Sequence, residues 1–579
     1  MYTTCKSKRR VPVHFATTRV KLKLTDFMPV LLLLLFVVAG CSSSDPGSVS
    51  KPKPNPYLAS PLYAITHFDP SQSDSTPYGP PRNSIVTVDL STKPVVYGGP
   101  INIITAASTN ADYMWHVGSD RVSYIHKANG QWTTVTSFQA LDHQSGGLYP
   151  AIPDANFRTF GIAPAVGMDV TSMDAYLKTL FGANYKERYG NAIYVLVDNN
   201  NVLYTNYGTT LYGFTLTNPA DPSAGISIRY ELSDIINKIQ GASPPGARLF
   251  GLSMTYDGHL IVTFSNGVAV IDRDLNPASA IFYPFPATEY VSNSIAVDEN
   301  NGIYIATGPV SSTVGSSIMR KLVWTGTAIS DKESDGAWSC PYDNSLPDTP
   351  PIIKVGWGTG STPTLMGFGN DPDKLVVITD GAKQMKLVAF WRDAIPDGFV
   401  QKPGTASRRV AGQIQVTCGF SPVPEWVQTE QSVVVYGYGA FVVNNIPQVI
   451  DPAIVGVQNK ILECSLMGPA YPTSFGAQRF AWNPYSHEWS SVWARSDVSS
   501  TSMVPVYSES GNMALINGYT SGDGWQVLGM DWNSGSTVHQ MKFGDINFGN
   551  GAYAILQYLE NGDLLFNSFS GPLRVGYGP

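Results

Sequence analysis

Apolar residues in this chain come in short strand-length runs rather than helical stripes. One unit recurs: an apolar run, a turn rich in Asp, Asn and Gly, a second apolar run, a gap, and a third run. Runs at 192–197 and 202–205 flank the turn Asp198-Asn199-Asn200-Asn201, and 211–216 follows. The unit returns around turns at 256–259, 298–301, 370–373, 437–439, 509–512 and 560–563, which makes seven, and an eighth is read at 113–117, 122–126 and 132–138. A 3.6-residue period is confined to 173–180 and 232–239. Alternating apolar positions, turn punctuation and a repeat of about 45–70 residues predict an all-β fold, a β-propeller of four-stranded blades. Eight blades fit the units best, with seven as the alternative. A pair of β-sandwiches or a right-handed β-helix would not repeat at blade length with a turn between first and second strands. A propeller must close to hide its edges. The last unit runs out near Val575, so the early strand at 84–89 is expected to complete it.

The N-terminus departs from this pattern. Residues 1–28 carry seven Lys/Arg against one acid, and an apolar run at 30–38 leads to Ala39-Gly40-Cys41. Basic, apolar and small-residue regions in that order predict a secretory signal over 1–40. Nine apolar residues are too few to cross a hydrocarbon core of about 30 Å. Val38-Ala39-Gly40-Cys41 resembles the lipobox of bacterial lipoproteins, which implies cleavage before Cys41, lipid on its thiol and a membrane partner. Ser42 is not the Asp that retains lipoproteins in an inner membrane, so the resemblance implies the outer one where a cell has two. Residues 41–59 are mostly Ser, Asp, Gly, Lys and Pro and read as a tether, with the propeller domain at 60–579.

Removing the signal takes the chain from −7 to near −13. No basic stripe remains, so nucleic acid is not an expected partner. Charged residues are 14%, while there are 54 Gly, 30 Tyr and 12 Trp, a balance that suits turns and half-buried aromatic strands.

The units, among them 553–567, and the segment Gly360-Ser-Thr-Pro-Thr-Leu-Met-Gly367 resemble the eight-bladed quinoprotein alcohol dehydrogenase-like superfamily (PQQ-like repeats). Residues 292–307 also resemble the six-bladed lactonase and strictosidine-synthase type. An active quinoprotein dehydrogenase implies a quinone pocket, a Ca²⁺ site and usually a vicinal cysteine pair. Cys-Cys, Cys-x-x-Cys-His, the sialidase Asp-box, Gly-x-Ser-x-Gly, His-Glu-x-x-His and a phosphate loop are all missing from the sequence. The expectation is no cofactor, with Ca²⁺ or pyrroloquinoline quinone as the alternative. No metal site is predicted: His116 and His126 share a blade but lack ligand spacing, and the Asp/Asn turns are read as turn chemistry.

The positions just before each innermost strand are the informative ones, because in a propeller that strand lines the central channel. Asn293, Thr362, Glu430, Thr501 and Asn550 hold equivalent places and are the candidate ring around one channel mouth, Glu430 being its lone carboxylate. Cys418 and Cys464 flank the same unit and are the expected disulfide, leaving Cys340 over. Two functions are open. In the first, a lipid-anchored scaffold presents the insertion 448–471 and the aromatics Trp338, Trp357, Tyr471 and Trp489 to a protein or glycan. In the second, an extracytoplasmic enzyme acts on a small molecule at the channel mouth, as a quinone-linked oxidoreductase or a metal-dependent hydrolase. The first is preferred, and no catalytic residue is assigned.

Overall fold

The structure, a computed structural model, describes residues 49–577 apart from 140, 143–146, 149–151, 240–247, 314, 352–353, 355, 453–458 and 472. The predicted signal and Cys41 lie outside the described residues. The chain divides into residues 1–49 and a compact unit of residues 50–579 that holds every sheet.

That unit is a β-propeller-like all-β fold built from four-stranded antiparallel sheets in which strands adjacent in sequence pair. The sheet of Leu249–Met254, Leu260–Phe264, Gly267–Ile271 and Ile281–Pro284 is representative. Its first three strands are buried at every position, and only the fourth is exposed. Strands covered on both faces read as unbroken apolar runs, whereas outer strands alternate. Outer Trp338–Tyr342 is an example, with Trp338, Cys340 and Tyr342 inward and Ser339 and Pro341 outward.

The sheets succeed one another in chain order, with first strands at Ile104–Ala107, Leu196–Val197, Leu249–Met254, Ala296–Val297, Thr364–Met366, Val434–Tyr436, Val506–Ser508 and Gln557–Tyr558. Apolar clusters fill the spaces between consecutive sheets. Tyr124 and Phe214 belong to the cluster between the first two, Trp324 and Val268 to that between third and fourth, and Trp493 and Trp532 to that between sixth and seventh. Val96, Met114, Ile125, Trp132, Leu559 and Leu565 join the last sheet back to the first.

Closure does not use the expected strand. Ser84–Thr87 pairs in parallel with Thr537–Gly544 on the outer edge of the seventh sheet. The last sheet, which has three strands, is completed by residues 95–98: Val95 bridges Leu573, and Val96 N and Gly98 N donate to Pro572 O (3.0 Å) and Ser570 O (3.2 Å). Ser84–Thr87 has the better alternation, but its exposed Ile85 marks an edge position rather than a sealed one.

Residues 50–59, read as tether, are already docked: Lys51 pairs with Glu509, and Asn55 and Leu58 are buried. Residues 55–76 then cross the ring as a plug that reaches each of the eight sheets whose first strands are given above. Asn55 Nδ2 donates to Met254 O (3.1 Å), and Ala59 N to Val197 O (2.9 Å). Val297, Leu365, Val435 and Tyr507 donate their backbone N–H to Pro70, Ser71, Ser73 and Asp74 at 2.8–3.0 Å. Ala107 N donates to Tyr63 O (2.8 Å), while Tyr63 Oη donates to Tyr558 O (3.0 Å). Left-handed backbone at Tyr63, His67, Phe68, Gln72 and Asp74 curls the segment tightly. A buried His67–Asp74 pair at 2.9 Å and an Asp69 carboxylate accepting from Ser71 and Ser73 hold the curl.

Helices gather beside residues 101 and 569. The expected helix at 173–180 is Val170–Phe181, and that at 232–239 shrinks to Ile235–Lys238. Asp154–Ile162 and Lys460–Leu466 were not anticipated, and with Val170–Phe181 they share one apolar cluster.

Candidate functional site

The plug contacts each first strand near its end, beside the Asp/Asn turns, and so closes the channel on that side. Residues that precede the first strands sit on the other side, where a cavity of about 90 Å³ is floored by Thr66 and His67. Room for several waters is also room for a molecule of a few heavy atoms.

The five predicted positions separate into three groups. Glu430 and Asn293 line the cavity. Thr362 stands behind Asn293 and donates to its Oδ1 at 2.9 Å. Tyr194 Oη also donates to that oxygen, while Asn293 Nδ2 donates to Gly360 O at 2.7 Å. Asn293 is therefore spent on holding the wall. Thr501 and Asn550 do not line the cavity. Thr501 is buried and its carbonyl accepts from Asn445 Nδ2 at 2.8 Å. Asn550 Nδ2 ties the Lys460–Leu466 helix down through Cys464 O at 3.0 Å.

Glu430 has companions that the sequence did not advertise. Tyr553 Oη donates to its Oε2. Lys460, 8% exposed, shares the cavity wall, with Nζ 6.0 Å from the Tyr553 ring centroid. Among the described residues no ion pair joins Glu430 to Lys460, and Tyr553 is the one hydrogen-bond donor to the Glu430 carboxylate. Burial pushes that carboxyl up to about 8, with Lys460 and Tyr553 pulling it back. Burial likewise lowers the Lys460 ammonium against the attraction of Glu430 and Glu463. Lys354, whose Nζ donates to Gly358 O at 2.7 Å, is pushed down by burial to about 7. Perturbed groups gathered at a cavity mark a binding or proton-handling site. Lys460 belongs to the insertion expected to face a partner. Instead all seven residues of Lys460–Leu466 are buried, and residues 453–458 lie outside the described part.

Other expectations are corrected. Cys340, Cys418 and Cys464 are free, so Cys418 and Cys464 are not paired. They sit in separate apolar clusters, Cys418 between the fifth and sixth sheets and Cys464 among the helices. Trp338 and Trp489 are buried against Phe390 and Trp482 rather than offered to a glycan. His116 is buried and pushed down to about 3 by desolvation, whereas His126 meets Gln131. The Asp turns spend their carboxylates locally: Asp198 Oδ1 accepts from Asn200 N and Val202 N, both at 2.9 Å, and Asp298 Oδ1 does the same for Asn300 and Gly302. Among the described residues no group of three His, Cys, Asp or Glu is placed to hold a metal. The quinone implied by the PQQ-like resemblance is poorly matched by the cavity, whose Asn293 oxygen is already taken and whose volume suits a smaller guest.

Fold and site together define a propeller-like protein with one plugged end and a charged cavity at the other. No family model matches the chain. An uncharacterised protein of Archaeoglobus fulgidus is 29% identical over 344 residues, 57% of this chain and 61% of that one, so the chain spans less than two thirds of its relative. Among solved structures, the quinohemoprotein alcohol dehydrogenase of Comamonas testosteroni is similar at TM-score 0.45 and 10% identity, over 87% of this chain and 75% of that one. A europium-containing methanol dehydrogenase is similar at TM-score 0.46 and 9% identity, over 88% and 89%. The expectation that the chain needs no cofactor is withdrawn on this finding, since both neighbours are named for cofactors or metals they contain.

Proposed function

We propose that this chain is an eight-bladed propeller, lipid-anchored through Cys41 to the cell envelope, that binds a small polar ligand in the cavity opposite its plug. In an envelope with two membranes the anchor belongs to the outer one. The observation that carries the reading is that two buried ionisable groups of opposite type, Glu430 and Lys460, face one cavity without pairing directly. Burying a charge without a full set of partners is costly. A ligand that completes those partners recovers the cost, and such a site is retained for binding rather than for stability. The eight sheets with clusters between them support the blade count.

A thermal-shift screen of the full chain in detergent against small polar metabolites tests the reading, with Glu430→Gln and Lys460→Met in parallel. At least one compound should raise the melting temperature of the wild type and of neither variant. A screen in which nothing shifts the wild type, or in which both variants respond equally, overturns it.

A further inference from the structure

The charges around the cavity point to a narrower class of ligand. Glu430 and Lys460 are connected through one residue: the Tyr553 hydroxyl donates to the Glu430 carboxylate, and the Tyr553 ring lies under the Lys460 ammonium at 6.0 Å. That spacer holds the two charges beyond ion-pair distance and keeps them from collapsing onto each other. Two further charged groups act on the pair, Glu463 on Lys460 and Lys354 on Glu430.

We propose that the cavity takes a small zwitterion of the amino-acid class, its ammonium toward Glu430 and its carboxylate toward Lys460. This rests on the small-ligand reading above. A guest with one charge would satisfy one buried group and leave the other uncompensated. A zwitterion completes both. Tyr189, Tyr194 and Phe250 line the same space and give an ammonium aromatic surface. A volume of about 90 Å³ holds the backbone of an amino acid with a side chain of a few atoms, not an aromatic one.

Ligand truncation tests this without altering the protein. The full chain in detergent is titrated by calorimetry with glycine, L-alanine and L-serine, with methylamine and ethylamine, and with acetate and propionate. At least one amino acid should bind, with the matched amine and carboxylate each at least about 100-fold weaker, because each leaves a buried charge unpaired. An amine or carboxylate that binds within tenfold of the best amino acid overturns the zwitterion and leaves small-ligand binding standing. If none of the three amino acids binds, the zwitterion class is likewise overturned, and the metabolite screen decides the broader reading on its own.

Discussion

Replacing Glu430 with Gln keeps the shape of the side chain and removes its charge, so it separates the electrostatic cost of the site from its packing. The wild-type carboxyl is held at about 8 rather than 4.5 in the folded protein. The folded form therefore keeps its proton at pH values where the unfolded chain has lost it. Between those values the folded state binds more protons, so stability falls as pH rises, and the contribution is fully lost above 8. At about 1.4 kcal/mol per unit, full ionisation costs on the order of 5 kcal/mol. The attraction of Lys460 is already contained in that figure, and relaxation and water entry around the buried group are taken to reduce it by about half. The expected result is near-equal stability at pH 4.5 and a Glu430→Gln variant more stable than the wild type by about 2–3 kcal/mol at pH 8.5. Urea unfolding at the two pH values, with a check that the m-value is unchanged, measures it. Parallel pH profiles, or a variant less stable at pH 8.5, would show that Glu430 is a structural ion-pair partner and refute the argument.

The other predictions are more direct. Cys41→Ala should abolish incorporation of radioactive fatty acid, and a variant that still takes up label removes the anchor. Denatured, unreduced protein without residues 1–40 and lipidated at Cys41 should titrate as having three free thiols at Cys340, Cys418 and Cys464; a count of one would restore a disulfide. Asp74→Ala leaves His67 without its partner inside the plug and should cost about 3–5 kcal/mol by urea unfolding, so a loss under about 1 kcal/mol would mean that the plug contributes little to the fold. Trp132 is buried where last and first sheets meet, its Nε1 donating to Pro572 O at 2.9 Å. Trp132→Ala should cost about 3–5 kcal/mol, and a neutral result would deny that this contact closes the ring.

The blades were legible because inner strands are apolar at nearly every position and each first turn is marked by Asp, Asn or Gly. Asp198 and Asp298 cap those turns with the same hydrogen bonds, so the repeat in sequence is a repeat in backbone geometry. The plug was not legible. Residues 60–76 have no period, and their order comes from single hydrogen bonds to strands scattered over the whole chain. The closing strand was misplaced for a related reason, since 95–98 is short and interrupted by Gly98 while 84–87 alternates well. Half of the site followed from counting positions before each inner strand, which reached Glu430 and Asn293. Lys460 and Tyr553 escaped because a lysine in a seven-residue helix normally signals solvent, and nothing local shows that this helix is buried on all sides.

The plug also sets the order in which the molecule can assemble. Residues 55–76 leave the ribosome before any of their partners, and Tyr63 lies 495 positions from Tyr558, whose carbonyl it meets. At about 5–20 residues per second, roughly half a minute to more than a minute and a half separates the two. This early-made segment is thus late to settle, because its landing places do not exist together until the sheet of Gln557–Tyr558 is present. A chain cut short by even one sheet has nowhere to seat this segment, which stays open to proteases while that of a finished chain is shut away. The segment at 55–76 in this way reports whether the sheet of Gln557–Tyr558 was completed.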